Sequence, residues 1–164
     1  MILALLLAAG SSEAATETVR VEPRLPGTTA EVWVVAGYAW ESTTFAPDKS
    51  GFGCDLGGHL FFRIAGPVYL GALIDYSLSG PNALLVAGGA RVALPPVALS
   101  AGVGYASLSG GGVGVIAAAD FDIQSGLSLR LQGSWRRATG TVANIGPGQT
   151  STVFSAMGGL SLQF

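Results

Sequence analysis

The side chains that could do chemistry in this chain are few and regularly spaced. Of its 164 residues, 8 are Lys or Arg, 10 are Asp or Glu and one is His. Nine of them are Glu31, His59, Arg63, Asp75, Arg91, Asp120, Asp122, Arg130 and Arg136. Each occupies an alternate position in a segment whose intervening residues are largely apolar. If that alternate face is dry, guanidinium and carboxylate groups must pair there, because an unpaired buried charge is expensive. The first reading is therefore a structural ion-pair network. The second is a gated or selective polar pathway, with Gly, Ala and Ser on the same face leaving room for water. Arg63, Arg91, Arg130 and Asp122 stand near tight-turn signals and are expected to share one network.

Other chemistries find little support. One His and one Cys make a poor metal-ligand set, so neither a metal nor another cofactor is expected. Gly112-Val-Gly114-Val-Ile-Ala117 fits the G-x-G-x-x-A dinucleotide pattern. That pattern must open a helix in a βαβ unit, with an acidic residue about 20 positions on. Here the following residues alternate as a strand. Cys54 has no second cysteine to bond with and reads as a small packing residue. A net charge of −2 gives no reason to expect nucleic acid as a partner.

The elements that must position these charges are strands. Mean hydropathy is +0.53 although only 11% of residues are charged. No apolar run reaches the roughly 18 residues of a spanning helix, and 25 glycines argue against long helices. Eight segments alternate with period two: Glu31–Ser42, Cys54–Ile64, Val68–Leu78, Ala83–Leu94, Val97–Leu108, Val113–Ile123, Leu127–Arg137 and Thr152–Phe164. Tight turns at Ala65-Gly66-Pro67, Pro95-Pro96 and Gln124-Ser125-Gly126 alternate with the mostly longer connections Thr43–Gly53, Ser79–Asn82, Ser109–Gly112 and Ala138–Ser151. Each segment is near the 9–11 residues with which a tilted strand crosses a bilayer. Short turns at one end and longer loops at the other are the outer-membrane arrangement, with both termini in the periplasm. On the apolar face Tyr38, Trp40, Tyr76, Tyr105 and Trp135 gather near the long-loop ends, as an interfacial girdle would.

Ahead of the strands, residues 1–15 read as a signal peptide. Met1 to Ala9 is apolar, and Ser12-Glu13-Ala14 offers a small-residue cleavage site, though the usual positive n-region is missing. Residues 16–29 read as a flexible lead-in, and 30–164 as the barrel domain.

Strand number, loop alternation, aromatic belt and the terminal run Leu160, Leu162, Phe164 together resemble the small eight-stranded bacterial outer-membrane β-barrels of the OmpA transmembrane-domain and OmpX type. The resemblance implies an all-β, eight-stranded, antiparallel, up-and-down transmembrane barrel in a Gram-negative outer membrane. It also implies a closing strand whose Leu160, Leu162 and Phe164 act as an assembly signal for the barrel-assembly machinery, and a monomer in the lipid bilayer. Outer-membrane lipid A deacylases and palmitoyltransferases share the architecture and use His with Ser and a carboxylate. Here the position two residues from His59 is Phe61, not Ser, so a non-enzymatic protein is expected. Two alternatives stay open. One is a small channel or hydrophobic-ligand carrier similar to OmpW, suggested by Phe61, Tyr69, Leu73, Val153 and Met157 on the charged face. The other is a soluble lipocalin-like barrel, in which the two faces are exchanged. Alternation alone cannot say which face is inside.

Overall fold

The computed structural model describes residues 26–44, 46–78, 83–108, 110–139 and 149–164. The expected signal peptide and most of the lead-in lie outside the described residues.

Eight strands form: β1 Thr28–Thr43, β2 Lys49–Ala65, β3 Val68–Ser77, β4 Ala83–Leu94, β5 Val97–Leu108, β6 Gly110–Gln124, β7 Leu127–Thr139 and β8 Thr150–Gln163. Each pairs antiparallel with the next, and β8 pairs with β1, closing the sheet. Closure leaves no unpaired edge. At the short-turn end, Gly66 and Gly126 hold φ values of +49° and +77°. Only Gly adopts that region without strain, which explains their place in two of the three turns.

The stagger follows from the register. One circuit of paired residues from Glu31 runs through His59, Leu73, Ala87, Gly104, Gly114, Arg136 and Val153. It returns to β1 at Glu41, a displacement of 41 − 31 = 10 residues. Ten residues of rise against eight strand spacings tilts the strands by roughly 40°. The ten residues from Phe52 to Phe62 on β2 then span about 25 Å along the barrel axis, the height of a lipid-facing band.

Alternation decides which face is inside. Outward positions between the rims are Val, Leu, Ile, Ala, Gly, Phe, Tyr and Trp with Cys54, and none is charged. Val34, Ile74, Val103, Leu131 and Leu160 are among the exposed large apolar residues. Glu31, Asp55, Asp75, Arg91, Asp120, Arg130 and Arg136 are all buried. A soluble barrel would reverse this, so the lipocalin-like alternative fails.

Two segments expected to be loop are strand, and other strand ends shift by one to three residues. β2 begins at Lys49, not Cys54, because Gly51 and Gly53 pair with Ala39 and Gly37 on β1. β6 begins at Gly110, since the glycines expected to form a loop pair with Ala106, Ser107 and Leu108. Glycine lowers strand propensity, but a neighbouring strand in register supplies hydrogen bonds whatever the side chain.

Candidate functional site

The barrel interior is an ion-pair lattice set in apolar packing. Its lower level, toward the tight turns, joins four strands. Arg91 Nη1 on β4 lies 2.7 Å from Asp120 Oδ2 on β6 and 3.1 Å from Glu31 Oε2 on β1. Arg130 Nη1 on β7 lies 2.8 Å from Asp120 Oδ1 and 3.2 Å from Glu31 Oε1. Two cations and two anions therefore alternate in a closed ring. Arg130 also donates from Nε to Gln132 Oε1 at 3.0 Å and stacks its guanidinium 3.9 Å from the centre of the Trp33 ring.

The upper level is built on Arg136. Its Nη2 bonds Asp75 Oδ2 and lies 3.3 Å from Asp55 Oδ2, while Nη1 donates to the Ala83 carbonyl at 3.4 Å. Two residues tie the levels together. Gln132 Nε2 donates to Asp75 Oδ1 at 3.1 Å, and Trp33 Nε1 donates to the same oxygen at 3.2 Å. The lattice thus runs unbroken from Arg91 to Asp55.

Apolar side chains fill the space around it. Trp33, Val35, Phe61, Tyr69, Leu73, Leu85, Ala87, Ala106, Ile116 and Met157 form one buried cluster. Glycines facing inward make room for the largest of these. A Cβ on Gly57 would stand 2.6 Å from Trp33 Cζ2, one on Gly71 2.7 Å from Phe61 Cδ1, and one on Gly114 2.8 Å from Leu85 Cδ1. The lumen is therefore packed in the manner of a core.

Of the expected charges, Glu31, Arg91, Asp120 and Arg130 meet in the lower ring, and Asp75 and Arg136 in the upper group. His59 is buried beside the ring, with Nε2 3.8 Å from Glu31 Oε2 and its ring 4.5 Å from that of Phe61. That is too long for a hydrogen bond. Arg63 and Asp122 depart from the expectation of one network with Arg91 and Arg130. Both are exposed at the short-turn rim, where Ser128 Oγ donates to Asp122 Oδ1 at 2.9 Å. Their strands run past the closed lumen, and a register irregularity follows each of them. The expected charge network leaves out Asp55, Trp33 and Gln132. All three sit on the same parity as recognised lumen residues, and that parity is the signal that could have found them.

On the outer face, Tyr38, Trp40 and Tyr105 are exposed, and Tyr76 and Trp135 are half-buried. Trp40, Phe154 and Trp135 are paired in register across β1, β8 and β7. The Trp40 and Phe154 rings stack at 5.5 Å. Phe52, 81% exposed, is paired with Tyr38 and extends the row. Phe62, Phe121 and Phe164 lie outward at the opposite rim. Leu160, Leu162 and Phe164 all face outward, and the Phe164 amide donates to the Ala30 carbonyl at 2.9 Å. Among the described residues no group of three or more His, Cys, Asp or Glu is placed to hold a metal ion.

Solved structures share this fold. Neisserial surface protein A aligns over 85% of this chain and 98% of its own, at 16% identity and a TM-score of 0.50. Ail, the attachment invasion locus protein of Yersinia pestis, aligns over 82% and 99%, at 11% identity and a TM-score of 0.51. The fold is that of the small eight-stranded outer-membrane β-barrels. At these identities the likeness establishes the transmembrane barrel architecture and nothing finer. No family model matches the sequence, and none of the curated proteins does. What distinguishes this eight-stranded barrel from a generic one must therefore be read from its own lumen and outer face.

Proposed function

We propose that this protein is a non-enzymatic, monomeric integral protein of a Gram-negative outer membrane, with a closed lumen and a structural or surface-exposed role. The observation that carries this is the inversion of polarity: ion pairs inside, an uncharged apolar band outside. Its partners are the lipid bilayer and, during biogenesis, the barrel-assembly machinery. The lattice of four carboxylates, three guanidiniums, Gln132 and Trp33, packed among large apolar side chains, supports a sealed interior over a conducting one. The apolar lumen residues Phe61, Tyr69, Leu73 and Met157 belong to the buried cluster, which favours packing over ligand carriage. Fractionation and gel mobility with and without boiling test the membrane assignment, with an outer-membrane location and a mobility shift expected. Purified protein in planar bilayers tests closure. Repeatable unitary conductance that changes on altering Arg91 or Asp120 would overturn the sealed lumen.

A further inference from the structure

One outward-facing strand charge breaks the rule that the outer face is neutral. Arg137 on β7 is exposed, just above Trp135 on the same face and between Val113 on β6 and Thr152 on β8. Among the described residues its side chain makes no ion pair or hydrogen bond. Residue 109 and the connection 140–149, which flank its strand pairs, contain no Asp or Glu in their sequence. Glu41, a strand further on, has inward parity and accepts a hydrogen bond from Ser151 Oγ at 3.2 Å.

Beneath the intervening row of Val115, Trp135 and Phe154, the outer surface is dished into a shallow apolar groove. Ala117, Gly133 and Ala156, paired in register across β6, β7 and β8, form its upper floor. Ala119 and Gly158 continue it, with Leu99 and Leu131 as walls. Gly133 lies four residues from Arg137, about 13 Å along the strand and, at a tilt of roughly 40°, about 10 Å in depth. That depth falls within one hydrocarbon leaflet of about 15 Å.

We propose that this face binds an anionic, phosphate-bearing lipid of the outer leaflet, with Arg137 on the headgroup phosphate and an acyl chain in the groove. Charge complementarity selects this occupant. Guanidinium is suited to phosphate by its fixed fork of donors. A second copy of the chain fits worse. Copies in one membrane share an orientation, so two barrels facing through this groove would bring their Arg137 side chains together at equal depth with no anion between them.

The proposal rests on the membrane reading, and the test separates the two. The full chain is reconstituted in phosphatidylcholine vesicles carrying spin-labelled phosphatidylglycerol or spin-labelled phosphatidylcholine. Insertion is checked by the mobility shift, and the motionally restricted lipid is measured by electron paramagnetic resonance. Failure of the mobility shift overturns the membrane reading and this proposal with it. With insertion established, the wild-type protein should prefer phosphatidylglycerol by about fivefold, the effect of one basic group at an anionic surface. Arg137→Gln should bring the ratio to about one, and Arg137→Lys should retain most of the preference. Gly133→Leu fills the groove at a position whose nearest neighbour to a new Cβ is the Ser155 carbonyl at 3.7 Å, so the barrel should tolerate it while the restricted phosphatidylglycerol falls. A wild-type ratio of one, an unchanged ratio in Arg137→Gln, or an unchanged signal in Gly133→Leu overturns the site. So does a disulfide-linked dimer from Gly133→Cys in a Cys54→Ala background, which would assign the face to a second copy.

Discussion

Arg91 and Arg130 each place a single Nη1 atom between the same two carboxylates, Glu31 and Asp120, at 2.7 to 3.2 Å. Neither acid depends on one partner, so loss of either arginine leaves both acids half-paired in a dry interior. Breaking a buried pair by removing one member costs about 3–5 kcal/mol. Arg130→Met is expected to fall in that range, measured as folding free energy by urea titration in lipid vesicles. Arg91→Met should cost less, because Arg130 alone also bonds Gln132 and stacks on Trp33. Removing Arg130 and Asp120 together, as Met and Leu, should cost less than the sum of the single changes, since no orphaned charge remains between them. Strict additivity would show that the ring does not act as a unit.

Two glycines on the barrel wall should respond oppositely to the same methyl group. Gly57 faces inward beneath Trp33, where a Cβ would meet both the indole ring and the Ile74 carbonyl. Gly57→Ala forces the wall or the ring to move and should destabilise by about 1–3 kcal/mol. Gly133 faces outward, where a Cβ would meet the Ser155 carbonyl at an ordinary 3.7 Å, and Gly133→Ala should be neutral or slightly stabilising because it restricts the unfolded chain. Midpoints of urea unfolding compare the two directly. Equal effects would mean that inward glycines are not chosen for the ring above them.

The alternating pattern made the strands, the faces and the terminal hairpin closure legible, because parity is written residue by residue. The pairing of charges was not. Glu31, Arg91 and Asp120 meet across the lumen only because the sheet closes with a stagger of ten residues, and that stagger is a property of closure, not of any one segment. For the same reason Arg63 and Asp122 share the lumen parity yet fall below its closed part. Asp55 is not legible because Gly51 and Gly53 read as loop, which places it at a strand edge. Trp33 is hard to read because an aromatic beside valines resembles a lipid-facing residue until its parity with Glu31 is counted.

Val34 lies midway along the outward face of β1, between Ala30 and Tyr38, and is 60% exposed. In water an arginine there would be harmless. At the middle of a lipid-facing band it should cost about 2–4 kcal/mol. Val34→Arg is therefore expected to lower stability in vesicles by that amount, while Thr28→Arg, at the rim of the same face, should cost less than about 1 kcal/mol. No loss at Val34 would contradict a bilayer around this face.

Phe164 separates folding from biogenesis. Its side chain is 78% exposed, while its amide is bonded to the Ala30 carbonyl. Replacing the ring by Ala keeps the backbone bond and removes little packing, so Phe164→Ala should refold in detergent with a mobility shift and unfolding midpoint close to wild type. If the ring is read by the assembly machinery, the same variant should accumulate poorly in the outer membrane of expressing cells. A variant that folds well in vitro and reaches wild-type levels in cells would deny Phe164 a role as an assembly signal. One that also fails to refold in detergent would make the residue structural, with Phe164 anchoring the β8–β1 seam itself.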